Sequence, residues 1–174
     1  LEKQKSEVKN EFAMAVAERG RQKTWVLRRG NPSLQGEEVG PAFPTILDSS
    51  AAHVPDDYAV GKASGKRRVL AEWVASGSNP MTARVMANRI WHHLFGAGIV
   101  RTMDNFGATG ERPTHPGLLD YLAVRFVGND WSVKSMIREM VLSRTYQLSS
   151  DTMDANAAAD PSNRFLWRMN HKRL

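Results

Sequence analysis

The chain has 174 residues and a formal net charge of +6, and its charged (24%) and hydrophobic (41%) fractions are ordinary for a globular protein. The absence of cysteine excludes disulfides, thiolate nucleophiles, cysteine-ligated zinc and thioether-bound haem within this chain. No apolar run approaches the roughly 20 residues that a membrane-spanning helix needs, so we predict no membrane span.

Residues 1–63 are predicted to be the end of an upstream region. Residues 1–20 carry apolar side chains at helical spacing and predict a helix. Residues 24–29 are rich in strand formers, and residues 38–47 contain two prolines, so we expect a short strand followed by an extended edge segment. A long polar connection comes next. We therefore place a domain boundary before the main domain, which covers residues 64–174.

The main domain is predicted to be helical. Capping residues, prolines and apolar periodicity predict four helices in the roughly 80 residues that follow Lys66. A loose loop at residues 151–159 and a last helix beginning at Asp160 and Pro161 are expected after them. The predicted fold class is therefore mainly α, a compact bundle of about four to five helices with a short extended or β segment near the N-terminus.

The most informative stretch is the second of these helices together with the loop after it. Asn79 is a good N-cap and Pro80 suits the first helical position, while Gly96 and Gly98 supply the left-handed backbone that ends a helix. The loop at 99–110 places short polar side chains among glycines. Such a loop is expected to be held by polar partners on the helix.

A polar rim along this helix is the predicted ligand site. Arg84 and Asn88 lie one turn apart beside Trp91, at the border between the apolar and polar faces. Guanidinium groups bind sulfate and carboxylate oxygens bidentately, so an anionic glycan is the expected ligand class. The predicted ligand-binding residues, on the helix and on the loop facing it, are Arg84, Asn88, Arg89, Trp91, Asp104 and Asn105. The alternative is a purely structural loop pinned against this rim.

An enzymatic alternative uses the same loop. His115 could meet Asp104 across it and form a carboxylate-oriented imidazole that acts as a general base in an oxidoreductase or hydrolase site. His92 and His93 are adjacent on a helix and point about 100° apart, so they cannot share a metal as i,i+4 residues do. No metal site is predicted. The sequence signatures of nucleic-acid-binding modules are also missing, so nucleic acid is not a predicted partner.

Several strings, in their order along the chain, resemble one family. They include RRVLAEWVASGSNPMTARVMANRIWHHLFGAGIV, WSVKSMIREMVLSRTYQLSS and DPSNRFLWRMNHKRL. Together they look like the C-terminal domain of unknown function of the planctomycete-type, cytochrome-associated exported proteins, and the match runs from about Thr24 to the last residue. The resemblance implies an extracytoplasmic (periplasmic or secreted) protein and a cytochrome c-like module among the upstream domains of the same polypeptide. It brings no established activity.

The resemblance also implies where a cofactor would lie. Haem c would belong to the upstream module, because this segment has no haem-attachment motif and no cofactor of its own is predicted. Three hypotheses follow: a non-catalytic docking or ligand-recognition domain, an active site built on His115 and Asp104, or a purely structural domain. The basic cluster from Arg164 to Arg173 has four cations and no acid, and we expect acidic groups of other segments to meet it.

Overall fold

The computed structural model describes residues 23–48, 52–55 and 64–171. The helix predicted at residues 1–20 lies outside the described residues. The chain divides into two compact units, and the division falls between Glu72 and the residue after it. The domain boundary predicted from the sequence stays a prediction.

The described part of the first unit contains a β-hairpin. Strand β1 (Thr24–Leu27) pairs antiparallel with strand β2 (Gln35–Val39). A short 3₁₀ turn joins them, with Arg29 at φ 53° and Gly30 at φ 71°. These left-handed residues lie where the chain reverses between the two strands. The prolines at 41 and 44 follow the end of β2 and so lie outside the ladder. The register pairs Thr24 with Val39, Trp25 with Glu38 and Leu27 with Gln35, with an irregularity between Trp25 and Leu27.

Five α-helices follow in the described part of the chain, which confirms the mainly α fold with a short β segment. None of these helices is long and apolar enough to cross a membrane. Their bounds are Lys66–Ala75 (α1), Pro80–Phe95 (α2), Pro116–Gly128 (α3), Val133–Val141 (α4) and Asp154–Ala159 (α5).

Helix α2 begins and ends where local chemistry predicts. The Asn79 side-chain oxygen accepts hydrogen bonds from the backbone N–H groups of Met81 and Thr82, at 3.0 and 3.4 Å. Gly96 adopts φ 83° and donates its N–H to the carbonyl of His92 at 2.7 Å. These contacts satisfy groups that a helix end would otherwise leave unpaired.

The core of the second unit lies where α2, α3 and α4 pack together. Trp91 and Phe95, one turn apart on α2, stack with ring centroids 3.8 Å apart. The ring of Tyr146 meets Phe95 edge-on at 5.4 Å. The buried cluster consists of Ala87, Ile90, Trp91, Phe95, Ile99, Val100, Leu119, Leu122, Phe126, Met136 and Met140.

The last predicted helix is absent, and the predicted loop before it is helical. Residues 154–159 form α5, whereas residues 160–171 form turns and bends. Asn163 explains the difference, because its side chain bonds both the N–H and the carbonyl of Arg168. Asn163 and Leu166 also adopt positive φ values, 50° and 56°. A helix cannot contain these left-handed residues.

Candidate functional site

Arg84, the first residue of the predicted rim, joins α2 to α3. Its Nε donates to Oδ1 of Asp120 at 2.7 Å, and its Nη1 donates to the carbonyl of Pro80, also at 2.7 Å. Its acidic partner is therefore Asp120 on the neighbouring helix, whereas the sequence had suggested Asp104 in the loop.

Arg89 is the rim residue that does face Asp104. Its Nη2 lies 3.4 Å from Oδ1 of that carboxylate. Both side chains are largely exposed, at 51% and 91%. An ion pair of this kind contributes little to stability because water and salt screen it.

Asn88 serves the backbone of the loop. It is 0% exposed, its amide donates to the carbonyl of Val100, and its oxygen accepts from the Val100 N–H, each at 2.9 Å. Gly98 permits this approach, because a Cβ there would collide with the Val100 carbonyl and lie 2.9 Å from the Asn88 amide nitrogen. The arrangement uses the side chain of Asn88 to hold the loop and leaves it buried away from solvent.

Asn105 also satisfies the loop from within. Its oxygen accepts from the Gly107 N–H and its amide donates to Thr109, both at 3.0 Å. The backbone carbonyl of Asn105 accepts from the Thr102 hydroxyl at 2.8 Å. The glycine-containing loop is thus held by its own short polar side chains.

His115 lies at the N-cap of α3, and its Nδ1 is 3.0 Å from the Thr114 hydroxyl. That hydroxyl also donates to the Ile99 carbonyl at 3.3 Å. Within residues 64–171, no hydrogen bond or ion pair joins His115 to Asp104. The enzymatic alternative, which depends on this pair, stays a prediction.

A small polar cleft brings His115 together with residues that the sequence had not grouped. It lies between the end of α2, the start of α3 and the C-terminal segment, and its volume is about 20 Å³. Trp91 forms part of the wall. We call it the arginine cleft. Its polar lining consists of Arg101, Thr114, His115, Asn163, Arg164 and Asn170.

The arginine cleft has an excess of positive charge. Neither Arg101 nor Arg164 forms an ion pair with a carboxylate in the described part of the chain. Arg101 is positioned by a hydrogen bond from Nη2 to the Ser162 carbonyl at 2.8 Å. The first turn of α3 contains no acid, and its N-cap residue His115 makes no side-chain capping bond. The partial positive charge of that helix end is therefore not neutralised locally.

Asp160 interacts electrostatically with both arginines, and its carboxylate oxygens already accept hydrogen bonds. They accept the backbone N–H groups of Phe165 at 2.8 Å and Arg164 at 2.9 Å. The Phe165 hydrogen bond, followed by the Arg164 N–H bond and the charges of Arg101 and Arg164, holds the pKa of Asp160 below its ordinary value, although desolvation opposes the shift. One carboxylate thus offsets part of the charge of two arginines.

Sequence reasoning missed Arg101, Asp160 and Asn163. It did single out Arg164 as part of a basic cluster without acids, and that is the signal that pointed to this region. Asp160 followed by Pro161 is typical of a helix start. The sequence therefore did not indicate that the Asp160 carboxylate accepts hydrogen bonds in an irregular turn.

A family model described as PSD1, a protein of unknown function (DUF1553), matches residues 66–174. The match covers more than half of the chain and agrees with the domain of unknown function that the sequence resembles. No curated protein and no solved structure matches the chain.

Proposed function

Because the chain belongs to the PSD1 family of proteins of unknown function (DUF1553), we propose its function from its own geometry: a non-catalytic ligand-recognition domain that binds an anionic group at the arginine cleft. Sulfated or carboxylated glycans are the ligand class. The domain would act within an extracytoplasmic, cytochrome-linked polypeptide, and this context rests on the family resemblance of the sequence.

The observation that carries the proposal is the contrast between two pairs of arginines. Arg84 and Arg89 each have a carboxylate partner, at 2.7 and 3.4 Å. Arg101 and Arg164 have none among the described residues. An anion at the predicted rim has to displace a carboxylate from a guanidinium. At the arginine cleft Asp160 offsets part of the charge but forms no ion pair with either guanidinium.

The size of the arginine cleft limits what enters it. A volume of about 20 Å³ accommodates about one water-sized group. A sulfate or carboxylate oxygen fits such a space, while the rest of a sugar ring stays outside. Trp91 is 5% exposed and offers a ligand little surface, so we assign recognition to the charged and amide groups of the lining.

The proposal is tested by removing Arg164, which makes no side-chain hydrogen bond in the described structure. We expect Arg164→Gln to weaken binding of a sulfated or polyuronate oligosaccharide about tenfold, because one charge-assisted contact contributes roughly 1.5 kcal/mol or more. The measurement is isothermal titration calorimetry of the 174-residue chain at low salt, with a neutral oligosaccharide of the same length as the ligand control.

Lys134→Gln is the matched protein control, because Lys134 on α4 is also without an ion pair in the described residues and does not line the arginine cleft. It removes the same charge and should leave affinity within about twofold, since long-range effects between exposed charges are weak. Equal loss in both variants would show unspecific attraction to a basic surface. That result, or no binding of either anionic ligand, contradicts the proposal.

A further inference from the structure

A second concave surface lies between the first turn of α2 and the outer face of α3. Its volume is about 600 Å³, within the range of pockets that bind ligands. Its residues share no member with the arginine cleft. We call it the alanine groove. Its apolar surface comes chiefly from Ala83, Ala123, Val124 and Val127, and Arg84 and Asp120 form its polar rim.

The alanine groove has a small-residue floor and an exposed aliphatic wall. Ala83 and Ala123 are 4% and 6% exposed and form the floor. Because each side chain is a single methyl group, a ligand lying on this floor is close to the backbone of both helices. Val124 is 72% exposed, although it is a branched apolar side chain in the middle of a helix. Contiguous exposed apolar surface beside polar groups is typical of interaction sites.

The rim of the alanine groove is held by hydrogen bonds, and not all of its hydrogen-bonding groups have a partner. Arg84 is fixed by its bonds to Asp120 and to the Pro80 carbonyl. These use two of the five N–H donors of a guanidinium. Its Nη2 group has no partner in residues 64–171, and neither has Oδ2 of Asp120. The rim therefore has unused donors on Arg84 and an unused acceptor on Asp120, two residues joined by an ion pair.

A donor beside an acceptor is complementary to a peptide group, whose carbonyl accepts and whose N–H donates. We propose that the alanine groove binds a short, aliphatic, extended peptide segment of a partner protein, with one of its peptide groups bonded to Arg84 and Asp120. Its aliphatic side chains fill the space above Ala83 and Ala123. This is recognition by main-chain hydrogen bonds for affinity and side-chain pockets for selectivity.

The dimensions of the alanine groove set the length of the segment. Asp120 and Val127 lie seven residues apart on α3, which corresponds to roughly 10 Å along a helix axis. An extended chain covers that distance in about three steps between neighbouring residues, from the first residue to the fourth. A tetrapeptide is therefore the smallest probe that spans the groove.

The test titrates the isotopically labelled 174-residue chain with acetyl-Leu-Ala-Leu-Ala-amide and follows backbone amide resonances. We expect saturable shifts at Ala83 and Ala123 at millimolar peptide. Acetyl-Ser-Gly-Ser-Gly-amide, which offers the same peptide groups without aliphatic side chains, should bind at least tenfold more weakly. Equal affinity for the two peptides, or no saturable shift with either, overturns the proposal.

Val124→Asp is the variant that tests the wall. Because Val124 is largely exposed, the substitution leaves the core intact, and we expect it to weaken the leucine peptide at least tenfold. Val133→Asp is the matched control, since Val133 is 42% exposed on α4 and lies outside the groove. If the two variants bind the leucine peptide with the same affinity, the proposal is wrong.

The rim is tested without changing the protein. Peptides N-methylated at one amide at a time lose one donor each. We expect the affinity to fall about fivefold or more for only one of these peptides, the one methylated at the peptide group that meets Asp120. Uniform small losses would overturn the assigned main-chain contact. A concentration-dependent dimer in sedimentation, abolished by Val124→Asp and unaffected by peptide, would instead show a second copy of the chain in the groove and overturn the peptide proposal.

Discussion

Asn88 shows how one buried amide can determine the path of a loop. Its side chain bonds the N–H and the carbonyl of Val100, which belongs to the buried cluster. An amide is the side chain that offers one donor and one acceptor in this spacing. A residue on an apolar helix border that looks available to ligand can thus be required by backbone groups that have no other partner in the described part of the chain.

We predict that Asn88→Ala lowers the free energy of unfolding by about 3 kcal/mol, because it leaves two buried backbone groups of Val100 without partners. Urea unfolding followed by circular dichroism measures this. Asn105→Ala is the control in the exposed part of the same loop and should cost about 1 kcal/mol or less. Similar losses for the two variants would contradict a buried structural role for Asn88.

The helices could be predicted better than the C-terminal segment, because their ends depend on contacts between residues that are close together in the chain. Helix α2 could be predicted because its caps, Asn79 and Gly96, bond residues within four positions. The turns at residues 160–171 depend instead on remote contacts. The amide of Asn170 donates to the Phe95 carbonyl at 2.9 Å, 75 residues away, and such a partner leaves no local pattern in the sequence.

The same limit applies to the candidate site. Helical periodicity correctly places Arg84 at the edge of α2, but its choice between Asp104 and Asp120 depends on how α3 packs against α2. Arg101 and Arg164 meet only because a loop and a distant segment fold together. The residue types were visible in the sequence, whereas their grouping required tertiary structure.

The C-terminal segment should respond to acid through Asp160. Its pKa is lowered in the folded chain, so its stabilising contribution is complete above the ordinary aspartate value of about 3.9 and is lost as the pH falls through the lower folded value. We expect the Arg164 and Phe165 amides to lose protection from hydrogen exchange at that point. In Asp160→Asn the same two amides should be less protected from exchange at pH 7, and their protection should change less below pH 4. A wild-type acid response in this variant would contradict the assignment.

The whole molecule is best understood from where its core is located. All residues of the buried cluster lie between Ala87 and Met140, within the second unit, and the family match begins close to the predicted boundary. Two bonds tie α1 to the start of α2: Thr82 donates to the Val74 carbonyl at 2.7 Å, and Asn79 donates to the Trp73 carbonyl at 3.3 Å. From the core and these two bonds we infer which piece of the chain folds by itself.

We therefore predict that residues 64–174 fold independently and unfold cooperatively in urea with sharp near-ultraviolet circular dichroism bands. Residues 76–174 keep the core but lose both acceptors on α1, so they should be less stable by about 2 kcal/mol. Thr82→Val in the longer piece removes one of these bonds alone and should cost about half as much. If residues 64–174 lack a cooperative transition, the core needs the preceding residues and the predicted boundary is misplaced. Equal stability of the two pieces would instead show that the ties to α1 do not stabilise α2.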